Sequence, residues 1–539
     1  MNHQKINLKK TKGITLIALV ITIIVLLILA GITISALSGD NGILTNATKA
    51  KEQTEISNEK DAVNLAVGGA LAEDEGNSIT YDNLAKEFDQ NPGSGKYTLD
   101  GSGPFTVTFT DSGRAYLIDE NGKISEIETG PVEQPEETPE LWEATRTTDS
   151  AWYSYVDVTS NTVVKVNSPK ITGGMKPIKY VGPESETQTG SKWANVMTSD
   201  GSMFVWIPRY AYKITSGYHS STAGTIEIAF IDTNNRFLNI SDSGEITENP
   251  AEEGAGQTKW LVHPVFTNKP ENGGWDSELS GIWVGKFETT GDIDNLSVKP
   301  GVTSIRDQIL NTMYLAGKSA TFGESNSVVI GSHMMKNSEW GAVAYLSHSK
   351  YGVNGAKVAN NLSDSYITGG NIDFEIIYTD NKKQSTTGNC YGIYDMVGGS
   401  YERMASYVNY SDNKYLKVNG GINIGDLYGA NVVEQSTSTK YKTVYNSINS
   451  STLESYNNAQ NIKGDGIYET SNGYESINGW LNSRSYFPAS DYPFFGRSGS
   501  YADSPAGVFY FDGAIGDGNS ITSPRSVISY ISYFLIWFL

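Results

Sequence analysis

The sequence predicts an α+β protein with an N-terminal apolar helix, a small α+β module and one large C-terminal domain. Three features support this. Residues 14–37 carry no charge, residues 61–128 combine a helical pattern with alternating strands, and residues 129–145 are rich in proline and glutamate. A chain of 539 residues is long enough for two or three such parts.

The first feature, the uncharged run from Ile14 to Leu37, is long enough to cross a bilayer, which takes about 20 apolar residues. The apolar core of a secretory signal is only about 7 to 15 residues long, so a retained helix is expected. Lys9, Lys10 and Lys12 precede the run and favour the cytoplasmic side. These features predict a single-pass protein of the cell membrane with the bulk of the chain extracellular.

The segment KKTKGITLIALVITIIVLLILAGITI resembles the N-terminus of type IV prepilins and pseudopilins. The resemblance implies a leader, residues 1–13, that a prepilin peptidase removes between Gly13 and Ile14. It also implies a pilin-like transmembrane and extended helix over residues 14–60, with the membrane and other pilins as partners and a place in or beside a pilus. Ala18 stands where the family usually carries a glutamate, which puts polymerisation in doubt. An ordinary anchor without processing is the alternative.

Charge and cysteine content exclude several functions. The formal net charge is -20, and such acidity repels phosphate backbones, so no nucleic-acid partner is expected. Cys390 is the single cysteine, which excludes an intramolecular disulfide and a cysteine metal cluster within one chain. Its expected role is that of a small buried side chain.

Residues 61–128 predict the small α+β module. A helical pattern at its start is followed by PFTVTFT and RAYLIDENGKISEI, which alternate apolar and polar residues as strands do. Asn121-Gly122 predicts a tight turn. The proline- and glutamate-rich stretch 129–145 then predicts a semi-rigid linker, because proline and like charges both extend a chain.

The remaining residues, 146–539, contain aromatic segments separated by glycine-rich turns. YGIYDMVGGSYERM resembles the signature of the formylglycine-generating-enzyme domain, a variant of the C-type-lectin fold also found in sulfatase-modifying factors. NSEWGAVAY resembles that family's Glu-Trp helix, and FFGRSGSY resembles its arginine-glycine turn. The resemblance implies a large C-type-lectin-like domain over 146–539.

The catalytic groups of that family are not matched by this sequence. The formylglycine-forming enzymes use a cysteine pair, and related sulfoxide synthases use clustered histidines. This chain has Cys390 alone and five histidines without ligand spacing: His3, His219, His263, His333 and His348. No catalytic residue, metal ligand or cofactor is therefore predicted, although calcium on loop carbonyls stays open.

These features predict a membrane-tethered, adhesin-like surface protein whose lectin-fold head binds a ligand without catalysis. A surface enzyme of the formylglycine-generating-enzyme superfamily is one alternative. A minor pilin with a mainly structural role is another. The ligand, a protein or a glycan, is not identified by the sequence.

The stretch FGRSGSYADSPAGVFYFDGAIGDGNSITSPR resembles the variable region of lectin-fold proteins that retroelements diversify. The match assigns Arg497, Gly499 and residues 506–509 to the scaffold. It assigns ligand binding to the interspersed positions Tyr501, Asp503, Ser504, Tyr510, Asp512, Ala514, Ile515, Asp517, Asn519 and Ile521. Tyrosine with small polar residues is the mixture found in antibody loops. A glycine-rich surface loop without a partner is the alternative.

The chain ends in an uncharged run, Val527 to Leu539, that is too short to cross a bilayer as a helix. A buried final strand and a shifted reading frame are the two interpretations. The sequence leaves both open.

Overall fold

The structure is a computed structural model, and it divides the chain into two compact units, residues 1–134 and 135–539. It describes residues 58–72, 78–90, 97–101, 103–109, 115–127, 138–141, 152–172, 174–181, 190–247, 257–324, 331–370, 378–410, 428–433, 440–447, 451–503 and 505–529.

The first unit is a small sheet with two helices. Helix α1 runs through residues 58–72 and helix α2 spans Tyr81–Gln90. The strands are β1 (Tyr97–Asp100), β2 (Phe105–Phe109), β3 (Ala115–Ile118) and β4 (Ile124–Ile127), joined antiparallel in that order. Apolar side chains of both helices and of the sheet form one core. The predicted strands and the turn at Asn121-Gly122 are present at these positions.

The second unit contains twenty strands among its described residues. They are β5 (Thr138–Leu141), β6 (Tyr155–Asp157), β7 (Thr162–Val164), β8 (Lys176–Val181), β9 (Asn195–Met197), β10 (Met203–Pro208), β11 (Tyr210–Ile214), β12 (Ile226–Phe230), β13 (Ile246–Thr247), β14 (Trp260–Val262), β15 (Gly281–Gly285), β16 (Thr290–Asp292), β17 (Asn295–Ser297), β18 (Ser332–Met334), β19 (Tyr401–Asn409), β20 (Thr443–Asn446), β21 (Phe494–Ser498), β22 (Gly507–Ala514), β23 (Thr522–Pro524) and β24 (Ser526–Ile528).

Three sheets of this unit matter for the site. A seven-stranded sheet has the order β18-β24-β15-β10-β9-β8-β5, and a four-stranded sheet has the order β12-β11-β14-β13. The third sheet has the order β20-β19-β21-β22, with β23 paired to β19. The hairpins β6–β7 and β16–β17 stand apart.

Helices are short in the second unit. They are α3 (Leu310–Ser319), α4 (Asn337–His348), α5 (Ala430–Val433) and α6 (Thr452–Asn458). Single 3₁₀ turns lie at Pro264–Phe266, Pro270–Asn272, Lys382–Gln384, Ala459–Asn461, Tyr468–Thr470 and Trp480–Asn482.

Helix α4 lies in the centre of the second unit, and all twelve of its residues are buried. Its Trp340 indole donates a 2.7 Å hydrogen bond to the carbonyl of Val508 in β22. The helix begins with a capping box in which the Glu339 carboxylate accepts from the Lys336 backbone amide. The core around the helix is dominated by Trp, Tyr and Phe, which bury a large apolar area per side chain.

The predicted fold class, α+β, is wrong. The described chain is mostly β, with few and short helices. The physical reason lies in the C-terminal unit, where the aromatic segments alternate with turns every few residues. Such segments form short strands, because the turns interrupt the chain before a helix of the usual length, about 10 to 14 residues, can form.

Among the described residues no helix is both long and apolar enough to cross a bilayer. This finding overturns the prediction of a single-pass protein of the cell membrane, and that localisation is withdrawn. Residues 14–37, on which it rested, lie outside the described residues. The expected cleavage between Gly13 and Ile14 also lies outside them and stays a prediction.

The structure also describes parts of the proposed linker and of the C-terminal apolar run. Residues 129–145 were expected to form a linker, yet Thr138–Leu141 pairs antiparallel with β8 as the edge strand of the seven-stranded sheet. At the other end, Val527 and Ile528 belong to β24, which lies between β15 and β18. The start of the apolar tail is therefore a buried strand, and residues 530–539 lie outside the described part of the chain.

Candidate functional site

The candidate site is one face of the sheet formed by β19, β21 and β22. The register sets Arg403 opposite Gly496, and Gly496 opposite Asp512. Side chains alternate along a strand, so Tyr510 and Asp512 share this face while Phe509 and Phe511 point into the core. We call Tyr401, Arg403, Arg484, Tyr510, Asp512 and Asp517 the candidate face.

Tyr401 forms the base of the candidate face because it lies directly over Gly496. A Cβ added at Gly496 would come within 1.8 Å of the Tyr401 Cε1 atom. The Tyr401 ring then meets the Tyr510 ring edge-on, with centroids 5.8 Å apart. A glycine at position 496 is therefore what allows two tyrosines to pack side by side on the sheet.

An ion pair closes one side of these tyrosines. The Arg484 Nε atom lies 2.9 Å from the Asp512 Oδ2 atom, with 36% of the arginine side chain and 18% of the aspartate side chain exposed. The Arg484 guanidinium also lies 4.1 Å above the ring of Tyr486, which is exposed. The Tyr510 hydroxyl donates to the same Asp512 carboxylate at 3.2 Å. The segment that carries Arg484 and Tyr486 bonds along the outer edge of β22 through the backbone of Phe511.

A second ion pair, between Arg403 and Asp517, lies on the other side of the two tyrosines. The Arg403 Nη2 atom lies 3.0 Å from the Asp517 Oδ1 atom, in the loop that follows β22. Arg403 is almost fully buried, and its Nε has no hydrogen-bond partner among the described residues. Burial lowers the pKa of Arg403, and the tyrosine and aspartate groups beside it oppose this shift. The Arg403 donors are therefore enclosed, and Asp517 is the more exposed member of this pair.

The protonation states of the candidate face follow from its partial burial. Burial raises the pKa of Asp512, and the Arg484 guanidinium opposes that shift. Burial and then the Asp512 charge raise the pKa of Tyr510 and of Tyr401, so both hydroxyls stay protonated at neutral pH and can donate hydrogen bonds.

Two further sequence-predicted residues lie next to the candidate face. The carbonyl of Ile521 accepts from the Tyr401 backbone amide at 2.7 Å, and its side chain is exposed. The backbone amide of Tyr501 bonds to the carbonyl of Gly399, two residues before Tyr401 in the chain. The surface therefore extends beyond the two ion pairs.

The remaining predicted positions have other environments. Ala514 is buried in a cluster with Leu310 and Phe494, so it is left out of the candidate face as a correction. Asp503 accepts hydrogen bonds from the Ser500 amide and hydroxyl, which stabilises its loop.

Ile515 is half-buried, and the Asn519 side chain caps its own turn by accepting from the Ile521 amide at 3.1 Å. Ser504 lies outside the described residues. Tyr510 is 1% exposed and its hydroxyl donates to Asp512, so its side chain supports the candidate face from within.

Four residues of this surface were missed from the sequence: Tyr401, Arg403, Arg484 and Tyr486. A signal existed for the first two. In the strand SYERM, alternation places Tyr401 and Arg403 on the face opposite to Glu402. Arg484 and Tyr486 gave no comparable signal, because only the tertiary fold brings their segment to β22.

The opposite face of β19 is anchored in the core. Glu402 and Arg525 form a two-point ion pair, with Nε to Oε2 at 2.9 Å and Nη2 to Oε1 at 2.6 Å, and neither side chain is exposed. Arg525 also donates to the carbonyls of Gly285 and Tyr394. The arginine of the Ser-Pro-Arg segment thus joins three separated parts of the chain.

Cys390 and two of the histidines, which the sequence offered as possible catalytic or metal-binding residues, lie apart in the core. Cys390 is fully buried, and burial lowers the pKa of His263 to about 3. His333 bonds to Glu339 at 2.8 Å. Within the described ranges, no three His, Cys, Asp or Glu side chains are grouped so as to hold a metal ion.

Comparisons with known proteins give no family for this chain. No family model matches it, and no curated protein matches it.

Proposed function

We propose that the chain is a binding protein without catalytic activity, and that the candidate face of its C-terminal unit binds a protein ligand. The resemblance of YGIYDMVGGSYERM to the formylglycine-generating-enzyme domain supports a lectin-like scaffold for this role. A fold does not by itself define a function, so the proposal rests on the site.

The observation that carries the proposal is that two arginine–aspartate pairs lie on one sheet face, on either side of two packed tyrosine side chains. Arg484–Asp512 and Arg403–Asp517 flank Tyr401 and Tyr510. Tyrosine and arginine are enriched among the residues that contribute most to protein–protein binding. A face fixed by three paired strands also loses little conformational entropy when a ligand binds.

The composition also favours a protein over other ligands. Each arginine lies near a tyrosine ring, at 4.1 Å for Arg484 over Tyr486 and 5.6 Å for Arg403 over Tyr401. The closer stacking is that of Arg484, which is partly exposed, and a stacked guanidinium can still donate at its edge to carbonyl and carboxylate groups of a partner chain. We infer no cofactor for this role.

A peptide selection tests the proposal. A random peptide library displayed on phage is selected on the purified full-length chain and on a variant that combines Arg484→Gln, Asp512→Asn and Tyr510→Phe. These changes remove charge and one hydroxyl; Asp512→Asn and Tyr510→Phe nearly keep side-chain volume, whereas Arg484→Gln shortens the side chain. We expect peptide families that enrich on the wild-type chain and fail to bind the variant.

The exposed pair Arg236–Asp232 provides the matched control. Its nitrogen and oxygen lie 2.6 Å apart, in a turn after β12. A double variant, Arg236→Gln with Asp232→Asn, should bind the selected peptides as the wild-type chain does. Peptides that bind the triple variant as well as the wild type would refute the candidate face as the binding site.

A further inference from the structure

We infer that the surface beside the candidate face is a subsite for a carboxylate side chain of the protein ligand, with Arg306 as its cation. The inference rests on the proposed function, because it specifies the chemistry of the same ligand. The subsite consists of Arg306, Tyr366, Tyr501 and Ile521.

The Arg306 guanidinium is held flat on an aromatic ring. Its Cζ atom lies 4.1 Å from the centroid of Tyr366, whose ring meets Tyr501 edge-on at 5.3 Å. One terminal nitrogen donates to the carbonyl of Ser520, and the Nε has no hydrogen-bond partner among the described residues. The stacking fixes the plane of the guanidinium before any ligand arrives.

The charge of Arg306 has no ion-pair partner among the described residues. Arg403 and Arg484, in contrast, are neutralised by Asp517 and Asp512. Asp307, the next residue, is exposed, and its backbone amide bonds to the carbonyl of Asn519. Arg306 is therefore the one arginine of this surface whose charge is left for an incoming anion.

Apolar contact beside this cation favours a protein as the source of the anion. Within the subsite, Ile521 follows Ser520, whose carbonyl accepts from Arg306. Ile521 is 38% exposed, and its carbonyl accepts from the Tyr401 amide. A protein partner supplies a carboxylate together with apolar side chains, whereas a carboxylated polysaccharide supplies the carboxylate among hydroxyl groups. Arginine and tyrosine are among the residue types enriched in protein hot spots.

Defined probes test the inference on the full-length chain. The probes are two fluorescent peptides, (Gly-Glu)5 and (Gly-Gln)5, and a hyaluronan decasaccharide, each titrated by fluorescence anisotropy. We expect (Gly-Glu)5 to bind more tightly than (Gly-Gln)5 and hyaluronan, and Arg306→Gln to weaken it about tenfold. Arg306→Lys keeps the charge but loses the planar guanidinium. Its affinity for (Gly-Glu)5 should lie between those of the wild-type chain and Arg306→Gln.

The control variant is Arg236→Gln, which removes an exposed arginine elsewhere in the same unit and should leave (Gly-Glu)5 binding unchanged. Equal affinity of the two peptides, no binding of (Gly-Glu)5, or no effect of Arg306→Gln would overturn the subsite. Tighter, Arg306-dependent binding of hyaluronan would overturn the protein assignment. In each case, peptides selected on the wild-type chain would still depend on Arg484 and Asp512 if the proposed function holds.

Discussion

Two arginine–carboxylate pairs on the same sheet have opposite environments. Arg525 and Glu402 are fully buried, and the guanidinium also donates to two backbone carbonyls. Arg484 and Asp512 lie at the surface, and the arginine covers an exposed tyrosine ring. The first pair has its donors and acceptors satisfied within the chain, whereas the second has capacity for a partner.

Burial separates the charges that hold the fold from those that are available for binding. A buried pair that loses one member leaves an uncompensated charge in the core and strongly destabilises the protein. A half-exposed pair such as Arg484–Asp512 contributes less to stability, because water still reaches the Arg484 guanidinium. The two strands that carry these pairs, β19 and β22, are both bonded to β21. The stabilising pair and the proposed binding pair therefore belong to one sheet and lie on its opposite faces.

The largest expected effect is on the buried pair. Glu402→Gln leaves the Arg525 charge without its counterion, and we expect the free energy of unfolding to fall by about 3–5 kcal/mol. Urea unfolding followed by tryptophan fluorescence measures this, since every tryptophan lies in the unit that spans residues 135–539. A loss below about 1 kcal/mol would show that the pair does not hold β19 to β23–β24.

Asp465 is a buried carboxyl group whose contribution to stability depends on pH. Burial, with the nearby Glu469 charge adding to it, raises the pKa of Asp465 to about 7, although the Tyr445 hydroxyl donates to it at 2.7 Å. The folded state therefore holds a proton that the unfolded state has lost above about pH 4. The stability from this group is present at low pH and is lost as pH rises through about 7.

We therefore expect the wild-type free energy of unfolding to fall by roughly 3 kcal/mol more than that of Asp465→Asn between pH 5 and pH 8. The difference between the two proteins removes the contributions of His263 and the other buried groups, which both share. Parallel pH profiles would mean that Asp465 does not take up a proton on folding.

A smaller effect is expected where the core meets the candidate face. Gly496→Ala places a methyl group against the Tyr401 ring and should cost about 1–3 kcal/mol as the ring moves. In a Tyr401→Ala background the same change should cost almost nothing, because the space is free. A double-mutant cycle with unfolding free energies measures this coupling. Additive costs would show that the ring does not depend on glycine at this position.

Part of this arrangement was predictable from the sequence. Alternation and turn signals located β2, β3 and β4, because these signals depend on residues close in the chain. The family resemblance of NSEWGAVAY implied the helix around Trp340. The cluster of Tyr510, Asp512 and Asp517 also lies within the predicted binding stretch.

The rest depended on tertiary pairing. The sequence did not show that Arg484 would reach Asp512, or that Arg403 would reach Asp517 more than a hundred residues later. The burial of Tyr510 and Ala514 was also missed. Alternation along β22 does not show that Tyr401 packs on Tyr510, or that helix α3 packs on Ala514. The fold class was missed because the prediction gave weight to a long helix over residues 14–60, most of which lies outside the described residues, whereas the described chain is mostly β.

The central claim is that binding and stability are separable on this sheet, and Arg484→Gln tests it most directly. The measurement is the dissociation constant of one peptide selected on the wild-type chain, taken for Arg484→Gln and for Arg236→Gln, with the unfolding free energy of each. We predict at least about tenfold weaker binding for Arg484→Gln, with stability within about 1 kcal/mol of wild type, and unchanged binding for Arg236→Gln. Unchanged binding for Arg484→Gln, or a loss of binding matched by an equal loss of stability, would contradict it.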